Sequence, residues 1–361
     1  MNAARSPLAP PTTLWVIPVA DLGGVARHVL DVAGQGIPGW RLIVVCPDGP
    51  LADRLRTLGA AVVTARVSPA DGIPAGVREL RRLIRTVRPA VVHSHLSYAD
   101  LLAAIATVGH ETSLVTTEHG IARDDLVYHG TIWRSRLKAL AHTARLRRAD
   151  ALIAVSQSTK QVVQEKWHPG RATRLVVIHN GIDRLSPAVA RAPGLHVASL
   201  ARLAPEKGLK DLIAAFALLV RDHPDARLTI AGAGPLASEL HARADRLGVG
   251  SRVAFPGHIE PTDLLAESDV LAQLSVWENT SYSILDAIVY GLGVVATPVG
   301  GNPEILGPDC LVERHDHAAV AAKIAIQGRD LARRPPLPDA WPTIAEMCQG
   351  IAETYQRAAF P

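Results

Sequence analysis

The chain alternates short, continuous apolar runs with longer segments of helical periodicity, and it does so twice. Runs such as Arg41–Cys46 and Ala151–Val155 are rich in β-branched residues and have the length of buried strands. Strands that are apolar on both faces and separated by helices predict a parallel sheet covered on both sides. The pattern therefore predicts an α/β protein built from two Rossmann-like, doubly wound domains.

The first half holds seven strand candidates and at least six helix candidates. The strands are Leu14–Val19, Arg41–Cys46, Ala61–Val67, Ala90–His93, Ser113–Thr117, Ala151–Val155 and Leu175–Ile178. The helical segments are Val25–Ala33, Leu51–Leu58, Val77–Val87, Leu101–Val108, Thr131–Leu146 and Thr159–Lys166. The second half alternates through His196–Leu200, Leu212–Val220, Arg227–Ala231, Leu236–Leu247, Val253–Phe255, Val270–Leu274, Ser281–Tyr290 and Val294–Thr297.

A break in the periodicity divides the two halves. Residues 184–194 contain Ser186-Pro187 and Ala192-Pro193-Gly194 and read as a linker. A chain of 361 residues has the length of two ordinary domains. We predict domains at 1–184 and 195–342, with a last helix within 343–361.

The composition argues against a membrane-spanning protein and against a protein held together by disulfides or by cysteine-bound metal. No apolar run reaches the roughly 18–20 residues that a membrane helix needs. Cys46, Cys310 and Cys348 lack the spacing of a metal site or a disulfide framework, which favours buried thiols in a reducing compartment. We expect a cytoplasmic protein, with the inner face of the membrane as a further option.

Charge is distributed unevenly along the chain. Residues 1–190 carry a net charge of +9 and residues 191–361 a net charge of −5. A basic first half could face phosphates, an anionic lipid surface or an acidic acceptor, although an arginine-rich coding bias would give the same count. The arginine-rich segments Arg78–Arg88 and Arg134–Arg148 motivate a hypothesis of peripheral membrane docking.

In doubly wound sheets, ligands bind beyond the carboxyl ends of the strands, so polar residues there are site candidates. The first strand is followed by Gly23-Gly24, which would let backbone amides approach a ligand closely, although a simple tight turn explains it equally. Later strands are followed by His93 and His95 and then by His119. We expect only one of His93 and His95 to face the site. Without supporting cysteines or carboxylates, these histidines do not predict a metal site.

In the second half, cations and glycines also lie directly after predicted strands. Arg202 and Lys207 follow a strand and suit a diphosphate, as a planar fork and a point charge, although exposed loop cations are common. Gly234 follows another strand and precedes a helix. No two aspartates have the spacing Asp-x-Asp, so the metal-chelating motif of one large class of sugar transferases is missing.

Two carboxylates flank the start of a predicted helix near residue 281. We place Glu278 in the preceding loop and Asp286 in the early turns, with Ser281 or Ser283 as the N-cap. A helix N-terminus favours anions, and carboxylates accept hydrogen bonds from hydroxyls. This combination suits a nucleotide sugar; the alternative is a carboxylate pair that offsets the helix dipole.

Taken in order, these pieces resemble the retaining GT-B glycosyltransferases of family 4. The resemblance runs from Gly23 to about Glu313. It rests on the Gly23-Gly24 loop, Val92–His95, Thr117–His119, Ala154–Ser156, Asn180–Asp183, Arg202–Gly208, Gly232–Pro235, Glu278 with Asp286, and Val299–Glu304. It implies two domains facing across a cleft, the first binding the acceptor and the second the donor, with the last helix packing back on the first domain.

The resemblance also implies residue roles. Arg202 and Lys207 would hold the donor diphosphate, with the Gly23-Gly24 loop close to it; Glu278 would bind sugar hydroxyls, Asp286 the ribose, and His119 would position the sugar. The implied catalytic residues are His119, Arg202, Lys207 and Glu278. The implied donor-binding residues are Gly23, Gly24, Arg202, Lys207, Gly234, Glu278, Asn279, Thr280, Ser281, Tyr282 and Asp286, and the acceptor-side residues are His93 and His95.

The implied reaction uses a nucleoside-diphosphate sugar and no metal or cofactor, and no nucleic acid is expected as a partner. The acceptor could be a saccharide, a lipid-linked saccharide or a small molecule. Three positions depart from the family pattern: Ala201 for glycine, Asp286 for glutamate and Gly293 for proline. A related GT-B epimerase or phosphorylase, or a catalytically degenerate binding protein, remain alternatives.

Overall fold

The computed structural model describes residues 9–120, 143–167, 173–185 and 191–360. The chain divides into two compact units, residues 1–181 with 342–361 and residues 182–341. Each unit is a parallel sheet covered by helices, and the predicted fold class is confirmed. The boundary falls between Gly181 and Ile182, just ahead of the predicted linker.

The first unit is built on a seven-stranded parallel sheet of order β3-β2-β1-β4-β5-β6-β7. Its strands are β1 (Thr12–Val16), β2 (Arg41–Cys46), β3 (Val62–Thr64), β4 (Val91–His95), β5 (Ser113–Glu118), β6 (Ala151–Ala154) and β7 (Arg174–Val177). Its helices are α1 (Gly24–Gln35), α2 (Pro50–Thr57), α3 (Ile73–Val87), α4 (Ser97–Ala106), α5 (residues 143–148), α6 (Gln157–Trp167) and α13 (Ile344–Ala359).

The second unit is built on a five-stranded parallel sheet of order β10-β9-β8-β11-β12. Its strands are β8 (His196–Leu200), β9 (Arg227–Ala231), β10 (Val253–Gly257), β11 (Val270–Gln273) and β12 (Gly293–Ala296). Its helices are α7 (Leu209–Asp222), α8 (Ala237–Arg246), α9 (Pro261–Glu267), α10 (Tyr282–Val289), α11 (Asn302–Ile305) and α12 (His317–Arg329).

The last helix, α13, belongs to the core of the first unit although 160 residues of the other unit precede it in the chain. It begins with a capping box in which Thr343 and Glu346 satisfy each other's backbone N–H groups. Its inner face buries Met347, Ile351 and Tyr355 beside β1 and α1. Burying these side chains stabilises the folded state by roughly 25 cal/mol per Å² of apolar area. This free energy holds the distant segment on the first sheet.

Three helices of the second unit, α9, α11 and α12, escaped the sequence prediction. The α12 segment is rich in alanine, so apolar and polar residues contrast weakly around its axis and the helical period is hard to see. It nevertheless buries Val320 and Ile324, because β11 and β12 need a cover on that face. The short α9 begins with a proline at its first position and was also missed.

The predicted helix Thr131–Leu146 and the arginine segment Arg134–Arg148 fall largely on residues 121–142, outside the described residues; residues 143–148 are helical. None of the helices in the described ranges combines the length and the apolar character that crossing a bilayer requires.

Candidate functional site

In the second unit, the strand order reverses between β8 and β11, and the loops after these two strands meet. Lys207 lies in the loop after β8, and Glu278 in the loop after β11. The Lys207 Nζ atom lies 2.8 Å from Glu278 Oε2, and Ser275 Oγ donates to the same oxygen over 3.2 Å. A reversal of strand order is where doubly wound sheets bind ligands. Two predicted site residues 71 positions apart are thus brought into contact at the expected place.

Two glycines let these loops come together. Gly208 has φ +62°, and a β-carbon there would lie 2.0 Å from the Leu274 carbonyl oxygen. Gly300 has φ +58°, and a β-carbon there would lie 1.6 Å from the Glu278 carbonyl oxygen. Both conformations favour glycine, and both close contacts exclude any side chain. The backbone of Glu278 is therefore held against the Val299–Glu304 turn.

Arg202 contacts its own loop rather than the Lys207–Glu278 pair. Its guanidinium binds the carboxylate of Glu206, and the Arg202 side chain remains 64% exposed. Burial acts to raise the pKa of Glu206, but a backbone N–H and Arg202 outweigh it and hold the pKa below the usual value. Glu206 is therefore ionised at neutral pH and restrains a cation that is otherwise open to solvent.

Helix α10 begins where the sequence predicts, with Ser281 as its N-cap. The Ser281 hydroxyl accepts the Ile284 N–H over 3.4 Å and the Gln273 amide over 2.8 Å. Asp286 is the fifth residue of α10 and is half-buried. The remaining predicted donor residues precede or start the helix, with Thr280 and Tyr282 buried and Asn279 accepting the Gly301 N–H over 3.2 Å.

The loop after β9 packs against the loop after β8 through glycine contacts. A β-carbon on Gly234 would lie 2.5 Å from the Leu203 carbonyl oxygen, and one on Gly232 would lie 2.1 Å from that of Ala201. Packing therefore requires glycine at position 234, in addition to its predicted place in the donor site. Gly293, which departs from the family pattern, is fixed by Gln327 of α12, whose backbone oxygen would lie 2.6 Å from an added β-carbon.

In the first unit, the strand order reverses between β1 and β4, and four histidines gather there. They are His28 of α1, His93 and His95 of β4, and His119 after β5. His95 and His119 stack with ring centroids 5.0 Å apart, and the His28 ring lies 4.9 Å from His119. We call these four residues the histidine cluster.

His93 and His95 face the same side of the sheet, which corrects our expectation that only one of them could. Their ring centroids are 4.3 Å apart, and both side chains are fully buried. The reason is the two-residue period of a strand, which places residues i and i+2 on one face.

The two histidines have different partners. His93 Nδ1 lies 2.5 Å from the Tyr355 hydroxyl, and its Nε2 lies 2.7 Å from Thr117 Oγ1. The Trp15 indole N–H donates to the same Tyr355 hydroxyl over 2.6 Å. His95 Nδ1 lies 2.7 Å from His119 Nε2. His93 is therefore occupied by the protein core, whereas His95 is bonded to His119.

Burial makes the histidine cluster neutral. It lowers the pKa of His28 to about 4, although a hydrogen bond between the His28 ring and the Asn180 side chain acts in the opposite direction. Burial and the neighbouring imidazoles also hold the pKa values of His93, His95 and His119 well below the usual value. At neutral pH these rings offer lone pairs and N–H groups rather than positive charge.

The Gly23-Gly24 turn leaves the start of α1 open. Gly23 is the N-cap and supplies no side-chain hydrogen bond to the first turn. No atom lies within 4 Å of a β-carbon built on either glycine, and both residues are exposed. Glycine here is not required by packing, and the uncapped first turn of the helix can accept an anion.

Backbone strain marks the residue that follows His95. Leu96, the N-cap of α4, has φ 71° and ψ 148°. A residue other than glycine in this region costs about 1–3 kcal/mol and is held only by its surroundings. Such strain often accompanies a functional site, and here it fixes the end of β4.

Sequence reasoning missed His28, Tyr355 and a buried charge network beneath His119. Arg145 binds Asp100 and, over 2.6 Å, Glu118 Oε1, while Thr116 donates to Asp100 over 2.5 Å. Burial raises the pKa of Glu118 to about 8 and lowers that of Arg145 to about 9. His28 lies on the buried face of an amphipathic helix, and only its polarity could have singled it out.

Comparison with known proteins identifies relatives of both units. Residues 22–184 match the family described as Glycosyltransferase Family 4, and residues 191–330 match the one described as Glycosyl transferases group 1. A glycogen synthase of Mycobacterium tuberculosis is 31% identical over 332 residues, covering 80% of this chain and 78% of its own. The putative colanic acid biosynthesis glycosyltransferase WcaL of Escherichia coli is 27% identical over 249 residues, covering 63% of this chain and 61% of its own.

Solved structures share the fold. The crystal structure of Anabaena Alr3699/HepE in complex with UDP-glucose has a TM-score of 0.76 and 24% identity, covering 97% of this chain and 98% of its own. A glycosyltransferase from Rickettsia africae has a TM-score of 0.75 and 20% identity, covering 97% and 99%.

Proposed function

The chain belongs to the family 4, group 1 glycosyltransferases, and on this premise we propose which residues bind and activate its nucleotide sugar and that the transfer retains the anomeric configuration. It is a hexosyl-type glycosyltransferase that uses a nucleoside-diphosphate sugar in glycan assembly.

The contact between Lys207 Nζ and Glu278 Oε2 carries the proposal. A cation suits the diphosphate, and a carboxylate suits sugar hydroxyls. Here the two side chains lie 2.8 Å apart, in the loops that follow the neighbouring strands β8 and β11. A ligand bearing both groups can engage both residues at once. Because the two side chains neutralise each other, neither is left as an uncompensated charge before the ligand arrives.

The remaining roles follow the chemistry of each group. We assign the donor diphosphate to Lys207 and Arg202, whose cations stabilise the charge that develops on the leaving group. Asp286 would accept hydrogen bonds from the ribose, and the open first turn of α1 at Gly23-Gly24 would face phosphate. His119, as a neutral imidazole, would position the donor sugar by a hydrogen bond. The departing phosphate would take the acceptor proton on the same face, which retains the configuration.

A thermal-shift screen tests the donor assignment. Purified protein is heated with UDP, GDP, ADP and their sugar conjugates, starting with UDP-glucose, with and without EDTA. A donor at 100 times its Kd should stabilise its unit by about 2.7 kcal/mol. We expect a shift with one nucleotide class, insensitive to EDTA and much smaller in Lys207→Ala. No shift with any nucleotide would contradict the proposed site.

Activity separates the enzyme from a degenerate binding protein. Donor hydrolysis and transfer are measured for the wild type and for Glu278→Ala with the nucleotide class that the screen selects. A binding protein would show no turnover in either chain, whereas the proposed site predicts turnover that Glu278→Ala removes.

We further propose that the acceptor side meets an anionic lipid surface. Helix α3 and its C-cap expose Arg78, Arg85 and Arg88, none of which forms an ion pair within the described residues. Ile105 of α4, whose carbonyl accepts a hydrogen bond from Arg81 of α3, is 37% exposed, and Val108, just after α4, is 55% exposed. A basic face next to exposed apolar side chains suits an interface with anionic headgroups.

The acceptor itself would be a saccharide, a lipid-linked saccharide or a small molecule bound on the first unit. His93 is occupied by Tyr355 and Thr117, so it would shape the acceptor side rather than touch the acceptor.

Flotation with vesicles containing phosphatidylserine tests the lipid proposal. Binding should weaken with salt, since the Debye length falls to about 8 Å at physiological ionic strength. The double variant Arg85→Glu/Arg88→Glu should abolish flotation, whereas Arg246→Glu, exposed on α8 of the other unit, should not. Flotation that is equal for the two variants would contradict a role for α3.

A further inference from the structure

The histidine cluster contains a set of metal-ligand atoms of which the proposed transfer reaction uses only those of His119. One ring nitrogen each from His28, His95 and His119 lies within 4.8 Å of the other two. Within the ranges that the structure describes, this is the one group of three or more histidine, cysteine or carboxylate side chains gathered so closely. We propose that these three imidazoles bind a divalent transition ion of the zinc class, and that the bound ion inhibits glycosyl transfer by occupying His119.

The ligand type selects the class of ion. The set holds three imidazoles and no carboxylate, which suits Zn²⁺, Co²⁺, Ni²⁺ or copper and disfavours Mg²⁺, Ca²⁺ and Mn²⁺. Three protein ligands leave a fourth tetrahedral position open, as in zinc sites that bind water.

The His95 ring supplies a buried nitrogen that is available to coordinate. His95 Nε2 is fully buried and has no hydrogen-bond partner within the described residues. A buried polar atom without a partner costs free energy, which a bound ion would recover.

The geometry needs only a small adjustment. Two nitrogens bound to one tetrahedral zinc at about 2.0–2.1 Å lie about 3.3 Å apart. The ligand nitrogens of the three rings lie within 4.8 Å of one another, so the most widely separated pair would approach as the ion binds. His119 is half-buried and gives the ion a route in from solvent.

The surroundings resemble the support that metal-bound histidines commonly have. The Asn180 side chain hydrogen-bonds to the His28 ring, and such a contact fixes the orientation of a ligating imidazole. His93, the fourth member of the cluster, is excluded from the set because Tyr355 and Thr117 occupy both of its nitrogens. The metal set is therefore three residues rather than four.

Inhibition follows from the shared residue. His119 is the proposed positioning group for the donor sugar, and coordination would hold its ring toward His28 and His95 rather than leave it free to orient on the sugar. This part of the inference rests on the proposed function, whereas ion binding does not. The two are measured separately, so that failure of one is distinguishable from failure of the other.

Cobalt absorption measures binding directly. Co²⁺ is titrated into chelator-treated full-length protein, and we expect a visible d–d band of tetrahedral type at one equivalent, without a thiolate charge-transfer band, bleached by Zn²⁺. His28→Gln should weaken binding by more than the roughly 10–100-fold that loss of a supporting hydrogen bond costs. Asn180→Ala should weaken it within that range. His315→Gln, on an exposed imidazole of the other unit near Asp211, should change nothing.

Transfer assays with Zn²⁺ measure inhibition. We expect Zn²⁺ to lower turnover of the wild type and of His315→Gln, EDTA to restore it, and His28→Gln to retain its basal rate without zinc sensitivity. No cobalt band in the wild type, or a band unchanged in His28→Gln, would overturn the site. Binding without inhibition would overturn the regulatory role, and absence of any transfer would instead count against the proposed function, because the cobalt titration needs no activity.

Discussion

At the scale of single residues, Lys207 and Lys210 offer a matched pair. Each ammonium lies within 2.8 Å of a glutamate, Lys207 with Glu278 and Lys210 with Glu239, but Lys207 is 23% exposed and Lys210 43% exposed. Only Lys207 of the two lies where the strand order reverses. Because the two lysines are close in sequence, a difference between the effects of their substitutions reflects their different positions in the fold.

We expect Lys207→Ala to weaken donor binding by about 10–100-fold, since a charge-assisted hydrogen bond contributes about 1.5–3 kcal/mol. Lys210→Ala should leave donor affinity unchanged, because an exposed ion pair contributes little. Isothermal titration with the nucleotide selected by the thermal screen checks both variants. Equal losses would mean that Lys207 acts only as general positive charge.

His28 links the buried cluster to acid stability. Its pKa is about 4 in the folded chain against 6.5 in the unfolded chain. The unfolded state therefore binds more protons between these values, so stability is complete above pH 6.5 and is lost as the pH falls toward 4. From pH 7 to pH 5 the cost for this one group is about 2 kcal/mol, and His93, His95 and His119 beside it act in the same direction.

Urea unfolding at pH 7 and pH 5, followed by hydrogen exchange of β1 and β4 amides, checks this prediction. His28→Gln should reduce the loss of stability of the first unit on acidification. His258→Gln, in the second unit, is the control and should reproduce the wild-type pH dependence of the first unit. A His28→Gln profile as steep as that of the wild type would contradict the assignment.

At the scale of elements, α13 depends on its first turn. Thr343 accepts the Glu346 N–H over 3.1 Å, and Glu346 accepts the Thr343 N–H over 2.8 Å. The same contacts lower the pKa of Glu346, so the carboxylate is charged near the positive end of the helix. The cap is exposed, but it starts the helix that carries Tyr355 to His93.

Thr343→Ala should destabilise the first unit by about 0.5–2 kcal/mol, the usual cost of losing an N-cap. Thr86→Ala on α3 is the matched control, because Thr86 is exposed and its hydroxyl bonds the Arg82 carbonyl within its own helix. That change should stay within about 0.5 kcal/mol. Thermal melts followed by near-ultraviolet circular dichroism compare the two.

At the scale of the whole molecule, the two units differ in how the chain builds them. The second unit is one continuous segment, residues 182–341, whereas the first needs residues 342–361 returned to it. The returning helix fills the first core with Met347, Cys348, Ile351 and Tyr355, all at most 1% exposed. Cutting the chain should therefore affect the units unequally.

A chain of residues 182–341 should melt cooperatively on its own. A chain ending at residue 341 should lose the cooperative transition of the first unit while the second keeps its own, because the cavities left by large buried side chains cost several kcal/mol each. Calorimetry of both chains and of the full protein checks this. A first unit that still melts cooperatively without α13 would show that its sheet is stable without that cover.

The extent of sequence prediction varied with the range of the interactions. Boundaries of strands such as β2, β8 and β9 follow from their own apolar runs, and the local pattern limited the cap of α10 to Ser281 or Ser283, of which the structure has Ser281. Helix α12 was not, because its inner face is defined by the sheet it covers rather than by its own residues. Local sequence patterns predict local structure, but they do not show which residues are buried against a distant segment.

The sequence by itself determined the α/β class, the division into two parts and the residues that follow each strand, because these rest on composition and periodicity over short spans. Only the tertiary structure decided that Lys207 meets Glu278 while Arg202 turns to Glu206, and that His28 joins His95 and His119. Strand order decides which loops become neighbours, and it arises from packing between residues far apart in the chain. Side-chain contacts follow from the strand order, so they cannot be predicted from one segment of the sequence at a time.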